Sequence, residues 1–162
     1  MSIPIKYLPK DLTKKDKKKQ LLMLMKSRRM YKNGDYYTRK KVASYKNKPS
    51  NHVTTAKKIY KVDSIQPTQK RARKTGCSLS ALKKIVNKGE GAYFSSGSRP
   101  NQTGQSWGIA RLASSITGGK SAAVDFNILK EGCDPKKRAF RLALSARKKH
   151  GYGHRRTVKV IL

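Results

Sequence analysis

Acidic side chains are scarce in this sequence: eight Asp and Glu stand against 40 Lys and Arg, a net charge of +32 on 162 residues. A compact body with that imbalance repels itself, and a bound polyanion relieves the repulsion. The scarcity also leaves little for acid–base chemistry, because the carboxylates are scattered with no evident pair. Serine is plentiful, yet no Gly-x-Ser-x-Gly elbow occurs. Long apolar runs are missing as well. The longest covers residues 21–25, far short of the roughly 18–20 residues a membrane span needs. Residues 1–10 do not have the charged and apolar regions of a secretory signal. Cysteine is limited to Cys77 and Cys133, far apart and without a surrounding framework, so reduced intracellular thiols are expected. The sequon at Asn101, Gln102 and Thr103 carries no weight without a secretory signal.

Three partial motifs fail on inspection. Thr117, Gly118, Gly119, Lys120 and Ser121 echo a phosphate-binding loop, but Ser114 stands where its first glycine belongs and no strand precedes it. His150 and His154 are spaced like metal ligands, but Cys77 and Cys133 are not paired at zinc-finger spacing, so no metal or other cofactor is expected. Ala72, Gly76 and Leu82 have helix-turn-helix spacing, with Leu79 and Ile85 suiting its second helix. Arg71 and Thr75 sit where the first helix should be apolar, which favours a plain helical hairpin.

What the chain does have is basic charge, unevenly placed. Residues 1–74 are net +19 and residues 130–162 net +9, whereas residues 89–129 are net +1. The neutral stretch holds Trp107, Phe94, Phe126 and Tyr93 and reads as the folded heart, with the flanks as contact surfaces. The expectation is a small single domain, mainly α with a few short strands. It divides into a basic N-terminal extension with an amphipathic helix (1–35), a globular domain (36–133) and a basic C-terminal helix and tail (134–162).

Local signals supply the elements. Thr13 and Asp16 start a helix that stops near Asn33-Gly34, with Leu21, Leu24 and Met25, and Leu22 beside them, as its apolar stripe. Residues 36–45 read as extended. Ser50 caps a short helix carrying Val53, Ala56 and Tyr60. Ser78 starts another, with Leu79, Leu82, Ile85 and Val86 inward and Gly89 as its stop. Residues 89–105 then form a long polar loop, of a length that is usually functional or disordered. Helices follow over 107–115 and 121–129, the latter stopped by Gly132. Asp134-Pro135 opens a last helix that ends before Gly151, and residues 157–162 alternate like a strand.

Basic side chains interleaved with tyrosines are the strong functional signal, since Lys and Arg hold phosphates while Tyr stacks on bases or bonds to phosphate. The candidate polyanion-binding residues are Lys14, Lys15, Lys17, Lys18, Lys19, Arg28, Arg29, Tyr36, Tyr37, Arg39, Lys40 and Lys41 in the first flank. In the second they are Lys136, Lys137, Arg138, Arg141, Arg147, Lys148, Lys149, Arg155 and Arg156. Tyr93, Arg99, Asn101, Gln102 and Trp107 are the candidate residues of a neutral protein-contact loop.

GAYFSSGSRPNQT at 91–103, SWG at 106–108 and GGK at 118–120 carry a resemblance. With Tyr37-Thr38-Arg39-Lys40, His52-Val53 and Asn87-Lys88-Gly89, the likeness covers about residues 36–133. The chain resembles a family of small basic proteins of large nucleocytoplasmic DNA viruses, such as those of algae and amoebae. The resemblance implies a viral source and a place in the virion, and it carries no catalytic residues. The expectation is therefore a non-enzymatic minor capsid component inside the virion or on the inner capsid face, present in host cytoplasm or nucleus during assembly. Its partners would be capsid proteins, nucleic acid or an anionic membrane surface, with no small-molecule substrate. The alternatives are a protein that packages viral DNA without sequence preference, and a ribosomal-type RNA-binding protein.

Overall fold

A computed structural model describes residues 2–48, 50–153 and 158–161. The chain is mainly α, as the sequence predicts. Strand β1 (Ser2–Pro4) leads through a 3-10 turn (Ile5–Tyr7) to α1 (Lys14–Lys32), α2 (Asn51–Tyr60), α3 (Gln69–Thr75) and α4 (Leu79–Ser95). Then come α5 (Gly104–Ile116), α6 (Lys120–Val124), α7 (Phe126–Gly132), α8 (Arg138–His150) and β2 (Lys159–Ile161). These elements form two compact units, interleaved in sequence: Met1–Lys48 with Glu90–Trp107 and Arg156–Leu162, and Pro49–Gly89 with Gly108–Arg155. The division expected at residues 35 and 133 does not coincide with them. The neutral stretch is shared, giving Tyr93 to the interior of the first unit and Leu112, Ala113, Ile116, Ala122 and Leu129 to that of the second.

In the first unit, β1 and β2 pair antiparallel, with Ile3 opposite Val160. Residues 2–35 are therefore part of a folded body. Thr13 caps α1 by accepting from Asp16 N, and the Asp16 carboxylate accepts from Ser44 N at 2.8 Å. The buried stripe of α1 is Gln20, Met23, Leu24 and Ser27, at helical spacing of three and four. This corrects the expected stripe, because Leu22 is 57% and Met25 38% exposed. The two polar members of the true stripe both donate, Gln20 to Tyr7 O and Ser27 to Phe94 O, while Gln20 Oε1 is buried with no partner among the described residues. Ile3, Tyr7, Leu8 and Leu24 form one apolar cluster, and Leu12, Met23 and Val42 another. Residues 36–45 contain no strand. Instead the Asn101 amide stands in for a neighbouring strand, accepting from Val42 N at 2.8 Å and donating to Val42 O at 3.2 Å.

In the second unit, Ser50 caps α2 and Thr68 caps α3, each accepting a backbone N–H three residues on. Helix α4 does not stop at Gly89 but runs to Ser95, so the polar loop shrinks to residues 96–103. Gly89 serves packing: a Cβ there would lie 2.6 Å from the Gly108 Cα of α5. The helix expected over 121–129 is broken at Asp125 into α6 and α7. Helix α8 presents Ala139, Ala143 and Ala146 to the core, small enough for α6 and α7 to approach closely. It begins at Arg138 rather than Asp134, whose carboxylate accepts from Lys136 N in a turn before the helix.

Cys77 and Cys133 are joined in a disulfide, correcting the expectation of free thiols. Their segments form an antiparallel bridge in which Ser78 N donates to Gly132 O and Asp134 N to Gly76 O. No sequence framework was needed, because the chain folds back over a separation of 56 positions to bring the two together.

Candidate nucleic-acid interface

The charge belongs to both folded units. The first has 19 basic and 4 acidic residues, net +15, and the second 21 and 4, net +17. A lysine face of α1 displays Lys14, Lys15, Lys18 and Lys19, with Lys17 half-buried and Arg29 exposed a few turns on. Arg28 is half-buried and donates through Nε to Ser96 O at 2.7 Å. Tyr36 is 71% exposed, its ring 5.1 Å from Phe94 and 6.2 Å from Tyr31. Tyr37 is half-buried under the Lys26 ammonium, 4.3 Å from its ring centroid, while Lys40 and Lys41 are exposed.

Arg39 is no surface anchor. It is 6% exposed, and its guanidinium donates to Ser27 Oγ, Tyr93 O and Ser98 Oγ, each at 2.9 Å. It also lies 3.8 Å from the Tyr93 ring centroid. The group expected to hold a phosphate therefore holds the loop of its own unit. The contact loop changes with it. Tyr93 is fully buried, its hydroxyl accepting from Arg39 N and donating to Gln102 O. Asn101, Gln102 and Trp107 are half-buried, with Trp107 edge-on to Tyr7 at 6.2 Å. Only Arg99 of the five is exposed.

In the second unit Lys136, Lys137, Arg138, Arg141, Lys148 and Lys149 are exposed. Arg147 is half-buried, lying over Phe126 and Tyr152 at 4.9 and 4.2 Å and donating to Ala123 O. Arg155, Arg156 and His154 lie outside the described residues. Sequence reasoning missed Lys57, Lys58, Lys70, Arg73, Lys74, Lys83 and Lys84, all exposed. The signal was present: Ser80, Lys83, Lys84 and Asn87 recur at the helical spacing complementary to the apolar face of α4.

Asp125 is the one carboxylate among the described residues that is buried, and it is fully paired. Arg111 grips it with Nε at 2.9 Å and a second nitrogen at 2.7 Å, Lys88 reaches it at 3.0 Å and Ser115 at 3.2 Å. Burial pushes its carboxyl up, but Arg111 and Lys88 outweigh that and hold it below the usual carboxylate range. Locked as an anion, it is a structural cross-brace. Burial likewise raises the Tyr60 hydroxyl, which donates to Ile116 O. The cavity lined by Tyr60, Ile65, Leu82, Leu112 and Ile116 is about 10 Å³, no more than one water's worth. The described surface outside this brace is dominated by exposed lysines and arginines. No described helix is long and apolar enough to cross a membrane.

Residues 4–138 match the model of a family of unknown function (DUF5824), and the chain belongs to that family. No curated protein and no solved structure matches it.

Proposed function

We propose that this protein is a non-enzymatic structural component that holds nucleic acid through its phosphate backbone. The observation that carries the reading is that each unit bears its own excess of at least +15, displayed on exposed helical faces. Lysine faces displace condensed counterions from a phosphate chain, and the released ions drive binding. The inward turn of Tyr93, Asn101, Gln102 and Trp107 supports nucleic acid over a loop-mediated protein contact as the main role. In a salt-titrated binding assay with duplex DNA, affinity is expected to fall by about 10³–10⁵-fold between 50 and 200 mM salt, for six to ten phosphate contacts. Absence of binding at low salt overturns the reading.

A minor capsid role inside a virion is the second reading. Leu22 and Met25 favour it, two apolar side chains three residues apart on α1 left exposed among lysines. It predicts this chain at lattice-scale copy number in purified capsid shells, and shells without it rule that role out.

A further inference from the structure

We infer that α3, its turn and the start of α4 form a helix-turn-helix that sets Ser80, Lys83, Lys84 and Asn87 against base edges in the major groove of duplex DNA. This deepens the nucleic-acid reading and rests on it.

The backbone has the required parts. Helix α3 is capped by Thr68 and ends at Gly76, which takes the left-handed conformation at φ +76. Only Gly76, Cys77 and Ser78 separate it from α4, the short glycine-containing turn of this motif. Burial follows the motif as well. Ala72 and Thr75 of the first helix, Cys77 of the turn, and Leu82 and Ile85 of the second are buried. Ser78, Ser80, Lys83, Lys84 and Asn87 are exposed.

Of the two residues that argued against the motif in the sequence, Thr75 is accommodated and Arg71 only in part. Thr75 buries its hydroxyl with a partner in each role, donating to Arg71 O at 2.9 Å and accepting from Cys77 N at 3.2 Å. The Arg71 side chain is 17% exposed and donates to Asp63 at 3.1 Å and to Thr68 Oγ1 at 3.2 Å, while its Nε is buried with no partner among the described residues. Polar atoms thus replace apolar ones in the first helix, with the Arg71 Nε left as the one cost.

A second set of cations flanks the turn. The disulfide and the bridge beside it tie Gly132 and Asp134 to Gly76 and Ser78. Lys137 packs so closely on Gly76 that a Cβ there would lie 2.5 Å from the Lys137 Cβ. Lys136, Lys137 and Arg138 are exposed next to that contact, where backbone phosphates would border a helix entering a groove N-terminus first. Ser80 to Asn87 spans about 10 Å of helix, roughly three base-pair steps. An Asn amide matches adenine, a Lys ammonium guanine and a Ser hydroxyl either, whereas phosphate-only contact needs no Asn or Ser. No carboxylate interrupts this face between Leu79 and Gly89.

The test is selection from a randomised duplex pool with the full chain, followed by affinities at fixed salt for the enriched and a scrambled duplex. Enrichment of a short motif is expected, and Asn87→Ala should weaken the enriched duplex by roughly 5- to 150-fold while scarcely changing the scrambled one. Lys83→Ala/Lys84→Ala should abolish the preference. Lys14→Ala/Lys15→Ala/Lys18→Ala on α1 should weaken both duplexes equally, and circular dichroism checks that each variant is folded. If no motif is enriched, or the α4 variants behave like the α1 variant, the inference falls while backbone binding stands. If no duplex binds at low salt, both fall.

Discussion

The two units solve the same electrostatic problem in opposite ways. The second buries a carboxylate, Asp125, and surrounds it with Arg111 and Lys88. The first buries a cation, Arg39, and holds it with two serine hydroxyls, a carbonyl and the face of Tyr93. With 40 cations and eight anions, a buried carboxylate meets partners wherever it sits, but a buried guanidinium must be neutralised by dipoles. Burial lowers the pKa of Arg39, with Arg28 adding to the effect, so the site holds its charge against both desolvation and repulsion. Arginine suits that task because its planar fork distributes donors to several neutral oxygens at once.

The comparison breaks most visibly at Asp125. Asp125→Asn keeps the shape but strands Arg111 and Lys88 beside a neutral group, and a loss of about 3–5 kcal/mol is expected from urea unfolding. Amide exchange should rise in α6 and α8 and stay unchanged in α1. A loss under about 1 kcal/mol would mean that Asp125 is not the brace described here. Arg39→Lys tests the other unit. The charge remains, but an ammonium cannot span Ser27, Tyr93 and Ser98 together. A loss of about 1–3 kcal/mol is expected, as one or two buried acceptors go unsatisfied. If lysine serves equally well, the site needs only positive charge, and the fork geometry is incidental.

Local features were legible in the sequence, and long-range ones were not. The caps at Thr13 and Ser50 and the end of α1 at Asn33 follow from side chains a few residues apart, and they were found where expected. Gly89 was misread because a glycine that ends a helix and one that lets another helix approach look alike in sequence. The difference lies in Gly108, nineteen positions on. Arg39 sits among Tyr36, Tyr37, Lys40 and Lys41, company that suggests a surface patch. Its burial depends on Tyr93 and Ser98, 54 and 59 positions away. The cysteine pair, 56 apart, was hidden for the same reason. The exposed face of α4 needs no distant partner, but its Lys83 and Lys84 are sparse beside the lysine run at the start of α1.

The smallest expected effect over the neutral range is that of pH, and it sharpens the contrast between the units. Because the folded pKa of Asp125 is held below its unfolded value, its contribution to stability is complete above the ordinary carboxylate range. That contribution is lost as pH falls through the lowered folded value. Half-buried Asp16 in the first unit and exposed Asp63 in the second are also lowered, by hydrogen bonds to Ser44 and Arg71, but solvent screens them. Arg39 remains charged throughout. The urea midpoint should therefore stay flat from about pH 5 to 9 and decline only below about pH 4, near the unfolded carboxylate value. Acid adds little general repulsion, since eight carboxylates can raise a net +32 only modestly. The decline should belong mainly to the second unit, and Asp125→Asn should flatten it. A decline of equal depth in α1 and α8 exchange would show that acid acts through the shared charge rather than through the Asp125 brace.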